Sequence, residues 1–204
     1  MISREVTWRA GAAREKAMTD FTPYYPGQFL LALPGMGDPR FERAVIAVCT
    51  HDEEGALGIG VSQLYGEMTM GELFDQLGIE GRQGRNVPVH YGGPVDTSRG
   101  FVLHSLDWGG QDSVDVAGKW GLSNSVDVLR AISEGRGPSR WVVSLGYAGW
   151  SEGQLEEELH HHAWHVTQGS DALLFDTATD ARWARAYGDD GIDVRLLSGQ
   201  GGTA

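Results

Sequence analysis

Histidine gives this chain its widest chemical reach, because imidazole alone among ordinary side chains takes up or gives away a proton near neutrality. There are seven. His51, His90 and His104 each close or border a run that reads as a β-strand. His51 is followed by Asp52, Glu53 and Glu54, so the residue types allow a histidine–carboxylate pair for proton transfer, with Ser62 or Ser105 as nucleophile. A G-x-S-x-G elbow is absent. A histidine beside an apolar run more often satisfies buried backbone groups. We read these three that way and keep His51, His90 and His104 as catalytic residues only in the alternative, a hydrolase-like or acid/base enzyme. His160, His161, His162 and His165 form a second group, in which His161 and His165 have the i, i+4 spacing of two metal ligands on one helix face. The HExxH pattern is missing, and consecutive histidines on a helix point in different directions. The expectation is a solvated helix end whose imidazoles complement the dipole, with no metal assigned.

Cys49 is the single cysteine, which excludes an internal disulfide and fits a cytoplasmic location. It ends the apolar run 44–48 and reads as a small core residue rather than a redox sensor. Gly55, Gly58 and Gly60 echo a phosphate-binding spacing, but they precede or lie within a strand instead of opening a helix. Glycine inside a strand marks a bulge or a close backbone approach. No nucleotide and no other cofactor follows from this pattern.

Charge narrows the partners. Lys and Arg total 16 against 28 Asp and Glu, a formal balance of −12, and only two residues are lysines. No basic run is present to track phosphates, and the clearest helices carry Glu72 and Asp75, or Glu156, Glu157 and Glu158. Direct DNA binding is therefore disfavoured. The longest apolar runs fall well short of the ~20 residues a membrane span needs, and residues 1–20 lack the apolar stretch of a secretory signal. No membrane attachment is expected.

The elements that must position these side chains alternate between strand and helix. Strands are predicted over 28–33, 42–50, 57–62, 87–91, 100–105, 140–145, 164–166 and 173–175, with a short edge strand somewhere in 107–118. Helices are predicted over 69–78, capped by Thr69, stopped by Gly78 and burying Met70, Leu73, Phe74 and Leu77; over 125–134; from Ser151 to about 161; and over 177–187. At 204 residues and 41% hydrophobic content, one core suffices. The predicted organisation is a flexible extension over 1–26, one α/β domain over 27–197 and a frayed tail over 198–204. Trp8 lies in that extension.

The densest local signal is Gly146-Tyr147-Ala148-Gly149-Trp150-Ser151-Glu152-Gly153-Gln154-Leu155. A buried strand over 140–145 is predicted to run through these glycines into a tight strand-to-helix turn. Ser151 would then be the N-cap, Gln154 would complete a capping box, and Trp150 and Leu155 would form a hydrophobic staple. Three further stretches accompany it: 27–33 followed by Met36-Gly37-Asp38-Pro39-Arg40-Phe41; 51–61; and His90-Tyr91-Gly92-Gly93-Pro94-Val95 followed by 99–105. With Ala163-Trp164, and in this order, they resemble the bacterial YqgE/AlgH family over roughly residues 27–187. The chain departs from the family pattern at Ser62-Gln63-Leu64, where Asn and then Arg-Pro are usual. The resemblance implies a single-domain α/β sandwich whose mixed, bifurcated sheet curls into a pseudo-barrel flanked by helices. It also carries a transcriptional-regulator label without a defined biochemical activity.

The resemblance and the residue types together favour a binding surface over a catalytic pocket. Gly92, Gly93, Pro94, Tyr147, Trp150 and Gln154 combine bare backbone, aromatic rings and one amide, which suits a shallow cleft for a protein or small-ligand partner. Any effect on transcription would then be indirect. The grouping requires the Gly92 turn and the Gly149 corner to lie at the same end of the sheet.

Overall fold

A computed structural model of the chain describes residues 24–110 and 112–197. The expected tail over 198–204 lies outside the described residues, as does the expected extension apart from residues 24–26. Within them the chain forms β1 (Gln28–Ala32), β2 (Val45–Asp52), β3 (Gly55–Gly60), β4 (Leu64–Thr69), α1 (Met70–Leu77), β5 (Pro88–Tyr91), β6 (Val95–His104), β7 (Val114–Val116), β8 (Trp120–Ser123), α2 (Val126–Ser133), β9 (Trp141–Ser151), α3 (Gln154–His160), β10 (Trp164–Gln168) and α4 (Arg182–Asp189). The main path of the sheet is β10-β1-β2-β3-β9-β6-β8-β7. All of its pairings are antiparallel. A branch leaves this path where β5 pairs parallel to β9, with β4 antiparallel outside it. The sheet is thus mixed and bifurcated, and it curls into a half-barrel flanked by helices.

β9 organises the fold. Its first half lies between β6 and β5, with Leu145 opposite both Gly100 and Tyr91. Its second half pairs with β3, from Ala148 opposite Gly58 to Ser151 opposite Gly55. At the fork Gly146 has φ +75, a left-handed conformation that glycine adopts without penalty. Side-chain alternation reverses there. Val142 faces the inner core and Val143 and Leu145 the outer one, whereas beyond Gly146 the outer residues are Ala148 and Trp150 and Tyr147 packs inward. This is the behaviour of a bulge, where one added residue shifts the faces by one. The predicted turn at 146–150 is therefore corrected to a continuous strand: Gly146 turns the faces over without reversing the chain.

Period-2 alternation distributes the apolar residues between layers. On the concave side Phe29, Leu31, Val45, Ile59, Leu103 and Trp120 meet Leu173, Leu174, Trp183 and Tyr187 from the C-terminal segment. On the other side α1 and α2 cover Val102, Val143 and Leu145, and α3 covers Leu30, Ile46 and Trp150. Helix α1 is specified as the sequence reads. Thr69 and Glu72 form a reciprocal capping box and Gly78 closes the helix at φ +66, but Leu77, expected in the core, is exposed.

Two other expectations are corrected. Residues 173–175, read as a strand, lie in a single π-helical turn, Ala172–Asp176. The Ser170 carbonyl and hydroxyl accept the N–H groups of Leu174 and Leu173, and so short an apolar run carries no period of its own. The N-cap of α3 is Gly153 rather than Ser151. Half of the expected box survives, because the Gln154 side-chain oxygen accepts the Ser151 N–H at 3.1 Å.

Candidate functional site

A cleft of about 410 Å³ opens on the outer side of the sheet. Its wall is aromatic: Phe41 from the loop before β2, Trp150 from the end of β9 and Trp164 from the start of β10. Trp164 meets Phe41 and Trp150 edge to face, with centroids 5.5 and 6.1 Å apart. These contacts are in the favourable range for aromatic pairs. Pro94 from the Gly92 turn, Gln154 and Glu158 from α3, and Asp38 and Arg40 from the first loop complete it.

Glu158 is the polar centre of the cleft. Trp150 Nε1 donates to its Oε2 at 2.8 Å, Trp164 Nε1 donates to the same oxygen at 2.7 Å, and Gln154 Nε2 donates to Oε1 at 2.9 Å. The i, i+4 spacing of Gln154 and Glu158 on α3 makes the last contact possible. At the rim Arg40 grips Asp38 through Nε and Nη2, at 3.0 and 2.6 Å, and this fork-to-carboxylate pairing lowers the pKa of Asp38.

Three of the six residues singled out from sequence, Pro94, Trp150 and Gln154, line this one cleft. Gly92 and Gly93 border a separate narrow crevice that shares Arg40 and Phe41 with it. Their lack of a side chain serves packing. Gly92 donates to Leu145 O and accepts from Gly60 N–H, both at 2.8 Å, and a Cβ on Gly92 would stand 2.1 Å from the Gly146 carbonyl oxygen. Tyr147 does not line the cleft. The reversal at Gly146 turns it to the concave side, where it meets Phe101 edge to face at 5.8 Å. Sequence reasoning missed Glu158 and Trp164 as members of the site, although Gln154 and Glu158 at helical spacing between two tryptophans were a usable signal.

The three strand-end histidines are buried and share no hydrogen-bond partner. His51 Nδ1 accepts the Tyr25 N–H at 3.3 Å, which leaves the proton on Nε2 for Glu156 Oε1 at 2.8 Å. Tyr24 and Tyr25 pack against its ring. His90 donates through Nδ1 to Val143 O at 3.2 Å, and its Nε2 accepts from Arg182 at 3.1 Å and from the Thr179 hydroxyl at 3.0 Å. Burial and then the Arg182 charge push its pKa down to about 4. His104 donates through Nδ1 to Ser105 O at 2.8 Å and accepts the hydroxyls of Ser123 and Ser113 at 3.0 and 3.1 Å. Burial lowers its pKa as well. The serines at hand are thus not the two expected. Ser62 is tied to Val45 N and Arg43 O, and Ser105 donates to Asp107 at 2.6 Å.

His165 lies on β10 opposite Leu31, off the helix that carries His160, so the i, i+4 metal spacing has no helical face behind it. Among the described residues no group of three or more His, Cys, Asp or Glu side chains is placed to hold a metal ion. Burial pushes the Cys49 thiol up to about 12. Among the described residues no helix is long and apolar enough to cross a membrane.

A forked, curled sheet with an aromatic, carboxylate-centred cleft on its outer side defines an α/β sandwich of the half-barrel type. The chain belongs to the AlgH-like family, whose model matches residues 29–195. It is 60% identical over 181 residues to a UPF0301 protein of Sphingopyxis alaskensis, covering 89% of this chain and 97% of that one. It is 55% identical over 181 residues to a UPF0301 protein of Novosphingobium aromaticivorans, with the same coverage of both chains. The solution structure of AlgH from Pseudomonas aeruginosa superposes with a TM-score of 0.74 at 36% identity, covering 92% of this chain and 100% of that one. A crystal structure from Corynebacterium diphtheriae, at 20% identity and a TM-score of 0.67 over 89% and 95% of the two chains, shares the fold. None of these names states a reaction, a ligand or a partner.

Proposed function

We propose that the protein is a non-enzymatic binding module of the cytoplasm, whose outer cleft takes a small ligand or a group from a protein partner. In this reading any influence on transcription passes through that partner. The supporting observation is the make-up of the cleft: three aromatic rings and a fixed carboxylate around about 410 Å³, a volume within the range of small-molecule sites. Among the described residues no histidine, cysteine or serine lines it. The test is recovery of the tagged protein from its native cells under gentle conditions, with bound proteins and small molecules identified by mass spectrometry. A stoichiometric companion that is lost in the Trp150→Phe, Gln154→Ala variant supports the reading, and a companion indifferent to both substitutions overturns it.

Hydrolase-like chemistry has one observation in its favour, the two serine hydroxyls on His104 Nε2 with Nδ1 held by a backbone carbonyl. This arrangement has the direction of a general-base dyad. Covalent labelling of the partly exposed Ser113 by a serine-directed phosphonate, abolished by His104→Gln in a folded variant, would favour it.

A further inference from the structure

The polar groups of the cleft are unequal in what they leave free. Both indole N–H donors, on Trp150 and Trp164, are spent on Glu158, and the Gln154 amide gives an N–H to the same carboxylate. Arg40 directs Nε and Nη2 at Asp38. What remains for a ligand is therefore mainly acceptor capacity and aromatic surface. A carboxylate offers about four lone-pair sites, and Glu158 has used three. With their N–H groups committed, what the largely buried indoles leave to the cleft is ring surface, to which the half-buried Phe41 ring adds, and the quadrupole of such rings attracts a cation. The formal charge of the lining is one arginine against Asp38 and Glu158, and the whole chain carries −12. An anion would meet two carboxylates and only the outward N–H groups of Arg40 and Gln154, whereas a cation would find the rings and the last lone pair of Glu158.

We propose that the outer cleft is a site for an organic cation, a free alkylammonium or guanidinium compound held against Phe41, Trp150 and Trp164 and paired with Glu158. This assignment rests on the binding-module reading and names its ligand class. Arg40 and Asp38 stand as an ion pair at the rim. Because they neutralise one another, the charge that selects the ligand is that of Glu158.

The test uses the full chain at constant ionic strength with tetramethylammonium and methylguanidinium as probes. The uncharged 3,3-dimethylbutan-1-ol and acetate serve as comparisons, and binding is followed by tryptophan fluorescence and by the indole N–H signals of Trp150 and Trp164. Expected is saturable millimolar binding of at least one cation, about tenfold tighter than the alcohol, with no response to acetate. Affinity should fall by about tenfold in Glu158→Gln and in Phe41→Leu. Should Glu158→Gln loosen the fold, Phe41→Leu and Asp38→Asn still read the cleft from its half-buried edge. Equal or tighter binding of the alcohol, binding of acetate, or silence of both indoles towards both cations overturns the assignment. The binding-module reading fails separately, in the recovery experiment. A neutral or anionic companion that depends on Trp150 and Gln154 would sink the cation and leave the module standing.

Discussion

Glu158 and His104 are each held by three hydrogen bonds, and the difference between their surroundings separates structure from function in this fold. Glu158 is half-buried and opens on a cleft of about 410 Å³. His104 is 0% exposed, with Trp108 edge-on at 5.4 Å and Gly121 packed so closely that a Cβ there would stand 2.2 Å from its Cε1. His90 is shut in similarly by Val143, Thr179 and Arg182. The more reactive of these side chains has no exposed surface, and the less reactive one faces open volume. Fixed hydrogen bonds alone do not make a site; here the room beside them decides.

Four changes would break or sharpen this contrast. Trp164→Ala should have the largest effect, because it empties a buried aromatic site and removes one of the donors to Glu158. A loss of about 3–5 kcal/mol in urea unfolding is expected, and a loss under about 1 kcal/mol would mean that the cleft wall is not part of the core. The histidine side should show itself by acid lability. His90 has a folded-state pKa pushed down to about 4 from an ordinary 6.5, so as pH falls the unfolded chain takes up the proton first. Its stabilising contribution is complete above about pH 6.5 and is lost as pH falls towards 4, by at most about 3 kcal/mol. His104 acts in the same direction. Urea midpoints measured from pH 7 to 4 should fall, and the fall should shrink in His90→Gln.

Gly146→Ala acts on the fork between the two regions. The left-handed backbone and a Cβ 2.4 Å from the Gly93 carbonyl oxygen should cost roughly 2 kcal/mol or more, readable as a lowered thermal midpoint. The smallest effect on stability is expected from Asp38→Asn, since the Arg40 pair is a surface one. Its thermal midpoint should stay within error of the unsubstituted chain while ligand affinity changes, which would separate the rim of the cleft from the core.

Much of the fold was legible in the sequence where local chemistry decides it. Thr69, Glu72 and Gly78 specify both ends of α1 through short-range contacts, and the apolar runs of β1, β2 and β3 mark buried strands. A bifurcated sheet followed from the family resemblance, but the place of the fork was not legible, because a glycine after a strand is equally compatible with a turn and with a bulge. Pairing of residues 148–151 with 55–58, a contact distant in sequence, settles Gly146 as the latter. β8 escaped notice for a related reason: Gly121 interrupts its four residues to make room for the His104 ring. Three residues of the cleft, Pro94, Trp150 and Gln154, were visible in the sequence. Trp164 joins them only through β10 pairing with β1, and Glu158 reads from sequence as one acid among three on a solvated helix.

The most direct measurement is to record the indole N–H signals of the folded protein while a small-molecule extract of its native cells is titrated in. Trp150 and Trp164 report on the cleft and Trp108 on the His104 side. Saturable shifts at Trp150 and Trp164 with Trp108 unmoved are the expected result. Shifts at Trp108 with the cleft pair silent would contradict the account and move the functional site to the buried histidine.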